Sequence, residues 1–407
     1  MRVLVSTWGW RSHFYPLTPL AWALRCAGHD VRVASQPGMM DAITGAGLPG
    51  VPVGPALDFT EVFGSQIGRV ATRVERASAQ SAGIVPAVTP DGGVVRYADA
   101  MLDDLVAFGR EFSPELVVFE PQNLAAPIAA AALGVPAVRQ LWGPDETTQL
   151  DLDRDSVLGP LAGRHAVAVA DVRLAGDLTL DPCPRGLQVP LAGPSEPVRF
   201  VPYNGTAVLP RWLWSEPVRP RVCLTWGTMM ASLGLDAGPA AGVDLAAVIA
   251  AVASLDVELV LALHPAQRKR LGTLPANVVF PAEPLALHLL LSSCRAIIHQ
   301  GGAGTLMTAL AAGVPQLVLP QVSDQHFNAE RLVATGAGLS ITDADLDSAP
   351  AAVRRLLIRL LADGSQRTHA AELQAQNQLL TAPAGVVPVL EELAITARSQ
   401  SMSGARS

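Results

Sequence analysis

An α/β chain of two parallel-sheet domains is what this sequence predicts, and three observations predict it. Short buried runs alternate with helical stretches from the first residues onward, the pattern of repeated β-α-β units. The 407 residues exceed what one ordinary hydrophobic core encloses. Midway, nine prolines fall between Asp181 and Pro220, a density that neither a helix nor a central strand tolerates. That stretch reads as the connection, which gives domains at 1–210 and 211–407.

The elements follow in order. Arg2 to Ser6 is a run buried on both faces, as in a parallel strand. Pro16 to Ala27 reads as a helix stopped by Gly28, and His29-Asp30 lead into a second strand, Val31 to Ala34. The loop between them, Thr7-Trp8-Gly9-Trp10-Arg11-Ser12-His13, lacks GxGxxG, which counts against a dinucleotide site there. Leu116 to Phe119 is a short strand, followed by a helix from about Asn123 to Leu133. Gly134-Val135-Pro136 then turns into the strand Ala137 to Arg139. Beyond the prolines the alternation restarts with the strand Arg221 to Thr225. Helices Val243 to Ala253 and Leu285 to Ser292 then alternate with strands Val257 to Leu263 and Ala296 to Ile298. The tail from Ala351 to Ala397 is helical, with breaks near Gly364 and Pro383.

Composition narrows the function classes. Half the residues are hydrophobic and 16% are charged, enough apolar material for two cores. A net charge of −7 and a pI near 5.6 leave no nucleic-acid footprint. Cys26, Cys183, Cys223 and Cys294 have no CxxC spacing and read as reduced core residues of a cytoplasmic protein. The apolar start is polar again by Ser6, too short for a signal peptide, and no run reaches membrane-spanning length.

The chemistry concentrates at His299-Gln300-Gly301-Gly302-Ala303-Gly304-Thr305. A buried run ends at His299, a glycine loop follows, and a helical pattern runs from Thr305 to Ala312. Strand, glycine loop and helix together point free backbone N–H groups at an anion. A second buried run, Gln316 to Leu319, is stopped by Pro320, and Asp324-Gln325 sit where strand meets the next helix. An anion cradle beside a carboxylate and an amide suits a phosphate joined to a polyol, which is a nucleotide sugar.

These residues, with Gly313-Val314-Pro315, resemble the donor signature of the inverting glycosyltransferase family 1. The stretches Ser12-His13-Phe14-Tyr15-Pro16, Ala34-Ser35-Gln36-Pro37 and Val201-Pro202-Tyr203-Asn204-Gly205 are similar to its branch that transfers deoxysugars, often aminosugars, to polyketide antibiotics. The resemblance covers most of the chain and is weakest from about Ala56 to Arg96. It implies the GT-B fold, two Rossmann-like domains facing a central cleft. It also implies a last helix, about 385–397, that crosses back to the N-terminal domain.

The resemblance makes His13 the general base, since the family's base occupies this loop. An imidazole with a pKa near ~6.5 can take a hydroxyl proton near neutral pH. A surface loop histidine is the bland alternative. Glu120 is the partner carboxylate, where homologues commonly carry aspartate; a strand-end acid facing solvent is its alternative. His299, Gly301, Gly302, Gly304, Thr305 and Thr228 are expected on the diphosphate, Asp324 and Gln325 on the sugar, and Ala282 and Glu283 near the base. Thr228 and Asp324 could instead be simple helix caps. Trp8, Trp10 and Phe14 are expected to line the acceptor pocket. Family members that use uridine donors generally carry glutamate eight residues after the phosphate histidine; here that position is Met307. A thioether is at best a weak acceptor for a ribose hydroxyl, which points to a TDP-sugar.

No metal is expected. Asp151-Leu152-Asp153 and Asp343-Ala344-Asp345 imitate a metal-binding pair but read as helix-start or surface acids. Expected partners are the nucleotide-sugar donor and a hydrophobic aglycone, with a cytochrome-P450-like activator protein near Asp58 to Arg96 and a homodimer as further options. Two rival readings are a GT-B-fold nucleotide-sugar epimerase and a catalytically degenerate partner protein.

Overall fold

The computed structural model describes residues 1–58, 61–62, 88–227, 243–281, 283, 285–321, 323–362 and 364–404. Most of the stretch from Asp58 to Arg96, where the activator contact was expected, lies outside the described residues, as do Thr228 and Ala282.

The described strands form two parallel sheets. The first holds β1 (Arg2–Ser6), β2 (Asp30–Ser35), β3 (Gly50–Pro52), β4 (Leu116–Phe119), β5 (Ala137–Gln140), β6 (Leu178–Asp181) and β7 (Ser195–Pro197) in the order β3-β2-β1-β4-β5-β6-β7. The second holds β8 (Arg221–Leu224), β9 (Glu258–Leu261), β10 (Val278–Val279), β11 (Ala296–His299), β12 (Gln316–Val318) and β13 (Gly338–Ser340) in the order β10-β9-β8-β11-β12-β13.

Each sheet has one switch point, where the chain stops adding strands on one side and starts on the other. It lies between β1 and β4 in the first sheet and between β8 and β11 in the second. Connections leave such a pair in opposite directions, so a crevice opens beyond the strands' carboxyl ends. Register makes those ends level. Ser6 pairs with Phe119, and Leu224 pairs with Ile298.

Period-two burial divides each sheet between two cores. Leu4, Val117 and Phe119 face one side of the first sheet, and Val3, Val5, Leu116 and Val118 face the other. In the second sheet Val222, Leu224 and Ile298 pack opposite to Cys223, Val260 and Ile297. Ser195–Pro197 forms an edge strand inside the proline-rich stretch, where a missing N–H costs no ladder bond.

The last helix, Pro383–Gly404, packs on Thr18–Cys26. Its Val386, Val387 and Leu390 are buried among Val3, Val5 and Leu24 of the first sheet's core. Arg398 pairs with Glu115 beside it. No single helix among the described residues is long and apolar enough to cross a membrane.

Leu390 is fully buried, so Leu390→Ala should remove ~2–5 kcal/mol from the unfolding of the first domain. Urea denaturation followed by circular dichroism measures this. An unchanged midpoint would mean that the helix docks without stabilising that core.

Candidate active site

The first switch point delivers a histidine and a carboxylate. After Ser6 the chain enters a short helix, Arg11–Phe14. Neighbouring residues on a helix point about 100° apart, so His13 turns to the crevice while Phe14 turns into the core. Phe14 is fully buried among Leu17, Val3 and Val5. The expectation that it touches acceptor is therefore corrected. Trp8 is also enclosed, at 5% exposure, and of the three expected acceptor contacts Trp10 alone is partly open.

Glu120 follows β4 and is completely buried. Its Oε2 accepts the backbone N–H of Gln122 at 2.9 Å and lies 3.2 Å from His13 Nδ1. Its Oε1 has no hydrogen-bond partner among the described residues. The Trp8 indole N–H donates to the same His13 Nδ1 at 2.7 Å. Trp142 closes the other side of the imidazole edge-on, with ring centroids 4.3 Å apart. The His13 side chain keeps 14% exposure, enough for a small reactant to reach it.

The second switch point delivers the glycine loop. Gly302 precedes the helix Ala303–Ala311 without any side-chain cap, so the helix start faces the cleft with bare backbone. Gly301 sits at φ +99, and a side chain there would lie 2.9 Å from both Val318 and the Gln325 carbonyl. Only glycine fits that bend. Thr305 is partly exposed on the first turn.

His299 is fully buried and differs from expectation in its chemistry. Its Nδ1 accepts the Gly301 N–H at 3.0 Å, which leaves the hydrogen on Nε2, facing Gln316 Oε1 at 2.9 Å. Burial pushes the imidazole down to about 4, against the Gln316 bond that favours its charged form. His299 is thus neutral near pH 7 with both nitrogens engaged by the protein. It holds the glycine loop's shape and brings no positive charge to a diphosphate.

Asp324 and Gln325 begin the helix Ser323–Ala334 beside this loop. Gln325 Oε1 accepts the Gln321 N–H at 3.0 Å, closing the turn after Pro320. Burial raises the Asp324 carboxyl above its usual range, while backbone N–H groups and His13 pull it down. His13, at the first switch point, is thus among the charges that act on Asp324. Glu283 is exposed.

Two further residues complete the site. Gln300 is 9% exposed and lies against both Gly227 and Gly302, with its Oε1 unpartnered among the described residues. It fills the variable position of the motif. Glu146 stands on the loop after β5, where the Gln122 amide donates to it. Burial raises its carboxyl first, and the charge of Asp324 raises it further. The loop is fixed from below by the buried pair Arg139–Asp145 at 2.8 Å. It also abuts the donor helix: a side chain at Gly143 would come within 3.1 Å of Ala303 Cβ. Met307 packs there too, fully buried, so it presents no open surface to a ribose. A polar run just past a strand end was the signal for Glu146.

The acidic pairs read as metal imitations act as caps. Asp153 accepts from Asp155 and Ser156 N–H at the start of its helix. Asp345 forms a capping box with Thr342 and pairs with Arg355.

Two parallel sheets with facing switch points, a histidine–carboxylate pair on one and an open helix start on the other, define a glycosyltransferase of the GT-B fold. The chain belongs to the erythromycin biosynthesis protein CIII-like family, whose N-terminal domain matches residues 22–227 and whose C-terminal domain matches residues 246–393. It is 37% identical to 10-deoxymethynolide desosaminyltransferase of Streptomyces venezuelae, with 97% of each chain covered. It is also 37% identical to TDP-daunosamine transferase DnrS of Streptomyces peucetius, with both chains covered completely. The structure of glycosyltransferase VinC in complex with dTDP superposes with a TM-score of 0.78 at 34% identity, covering 97% of this chain and 100% of that one.

Glu146 gives a pH test. A carboxyl whose folded pKa is raised stabilises the fold fully below its unfolded value, near ~4.3, and that stability is lost as pH rises through the folded value. Wild type should therefore lose melting temperature relative to Glu146→Gln as pH is taken from about 5 to about 8. A difference that stays constant with pH, measured by calorimetry, would show that Glu146 is ionised throughout.

Proposed function

We propose that this glycosyltransferase moves a deoxysugar or aminosugar from a TDP-sugar to a hydroxyl of a polyketide or aromatic aglycone, with inversion at the anomeric carbon. The observation that carries the reading is the His13–Glu120 pair at one switch point and the bare helix start at the other, with Gly143 of the first wall lying against Ala303 of the second. Residues 1–210 hold the acceptor and residues 211–407 hold the donor. His13 takes the acceptor proton, and Glu120 stabilises the imidazolium that forms. The freed oxygen attacks C1 of the sugar as the bond from C1 to the diphosphate oxygen breaks. The departing charge meets the backbone N–H groups at the start of Ala303–Ala311, with Thr305 beside them, and we assign Thr228 a second contact to the diphosphate. Asp324 and Gln325 read the sugar. No step needs a metal.

The activities of the relatives named above support transfer over epimerisation or a non-catalytic role. They also support thymidine as the base, which the buried Met307 does not. We place the enzyme in the cytoplasm, in line with its four free cysteines. An activator protein and a homodimer are assignments for a pull-down and a sedimentation measurement.

His13→Ala should lower transfer ~10²–10⁴-fold while TDP affinity stays within a few-fold of wild type. Product mass spectrometry and calorimetry read the two quantities, and near-normal transfer would remove His13 from the role of base. In a separate titration, TDP should bind more tightly than UDP. Equal or tighter binding of UDP would overturn the thymidine assignment.

A further inference from the structure

We propose that Trp8 sets the tautomer of His13, holding it at rest in the form that cannot accept a proton at Nε2. The proposal rests on His13 being the base. An imidazole nitrogen offers one in-plane position, filled either by a lone pair or by a hydrogen. Two neighbours make opposite demands on Nδ1. The Trp8 indole, a donor only, sits 2.7 Å away and needs a lone pair. The Glu120 carboxylate, an acceptor, sits 3.2 Å away and needs a hydrogen. Both cannot be met at once.

The geometry favours Trp8 in the resting enzyme. Its contact is the shorter one. Its ring is 5% exposed and held edge-on between His13 and Tyr97, each with centroids 4.7 Å away. Glu120 Oε2 meanwhile keeps a donor in the Gln122 N–H. With the Nδ1 lone pair engaged by Trp8, the neutral ring carries its hydrogen on Nε2. The reactive form has the opposite arrangement, with Nδ1–H given to Glu120 and the Nε2 lone pair free for the acceptor hydroxyl. Passing between the two moves one proton from Nε2 to water and one from water to Nδ1. His13 is open enough for water to do this. The indole N–H must also move off Nδ1. Trp8 is therefore a positioning residue that opposes Glu120. Its effect is to keep the base idle until an acceptor seats in the cleft, so that donor is not lost to water.

The test reads the tautomer directly. Full-length protein labelled with 15N-histidine gives a ring spectrum in which His13 is assigned by its loss in His13→Asn. Wild type without ligands should show Nε2–H. Trp8→Phe should switch the signal to Nδ1–H and raise TDP-sugar hydrolysis without acceptor several-fold, with the donor KM unchanged. Because phenylalanine leaves a smaller ring in a packed site, a second variant carries benzothienylalanine at position 8, which keeps the indole shape and lacks the N–H. Nδ1–H in resting wild type, or Nε2–H retained in the benzothienyl variant, would overturn the proposal. The outcomes separate from the base assignment: normal transfer by His13→Ala removes the base, whereas the spectrum alone decides the tautomer.

Discussion

The molecule depends on two pairs of parallel strands whose connections diverge, β1 with β4 and β8 with β11. The same register sets both packing and chemistry. With Ser6 opposite Phe119, the side chains of Val3, Val5, Leu116 and Val118 share one core and the chain emerges from β4 with Glu120 beside the loop of His13. A slip of one residue would turn each of these to the wrong face. It would send each row into the opposite core, where it does not fit, and separate the histidine from its carboxylate. The second pair works in the same way. Leu224 opposite Ile298 brings Gly227 against the Gln300 side chain, and His299 opposite Val318 puts the glycine loop beside Asp324 and Gln325.

A cleft between two sheets is useful only if its two walls keep their distance, and the polar seam does this. Tyr203 packs edge-on to Tyr15 and Trp22 of the first domain, while its neighbour Asn204 donates to Thr308 and accepts from His288 of the second. Gly205 turns between them at φ +90, where a side chain would strike the Tyr15 hydroxyl. A second tie runs closer to the chemistry. Arg331, two turns along the helix that starts with Asp324, donates to the carbonyls of Gly186, Leu187 and Gln188. Gln188 in turn accepts from Asp145 N–H, next to Glu146. The carriers of Asp324 and Glu146 are therefore linked through a continuous chain of hydrogen bonds, which holds the Asp324 charge where it adds to the effect of burial on Glu146.

Elements whose burial is written in local periodicity were legible in the sequence. Leu116–Phe119 and the helix Leu245–Ala253 appear where their apolar residues put them. The missed strands, Gly50–Pro52, Leu178–Asp181, Ser195–Pro197, Val278–Val279 and Gly338–Ser340, are short, and all but Leu178–Asp181 lie at sheet edges. Their pairing is imposed by neighbours, which no local pattern encodes. The site divides in the same way. His13, Glu120 and Asp324 lie just past strand ends, and the family resemblance, not local pattern, singled them out. Phe14 was misassigned because the helix there begins at Arg11, so that it turns about 100° away from His13 and into the core. Glu146 was missed because its ionisation is set first by burial and then by the charge of Asp324, 178 positions away, and both reach it through the fold alone.

The electrostatics of the donor site follow from the neutrality of His299. A diphosphate beside this helix start would come near Asp324 and Glu146, the charge of one acting on the other, an arrangement that would repel it if both were fully charged. A cationic histidine would be the simplest remedy, but His299 is fully buried with both ring nitrogens engaged, and burial pushes the imidazole down to about 4. The fold answers in two other ways. Burial keeps Glu146 toward its neutral form, which removes one negative charge from the approach. The uncapped start of Ala303–Ala311 supplies about half a positive charge spread over backbone N–H groups, fixed in direction and costing no reorganisation when the leaving group's charge develops. His299 serves that dipole indirectly. By accepting from Gly301 and facing Gln316 it locks the loop that aims the helix start, so the residue that most resembles a ligand in the sequence acts through the geometry of the backbone beside it.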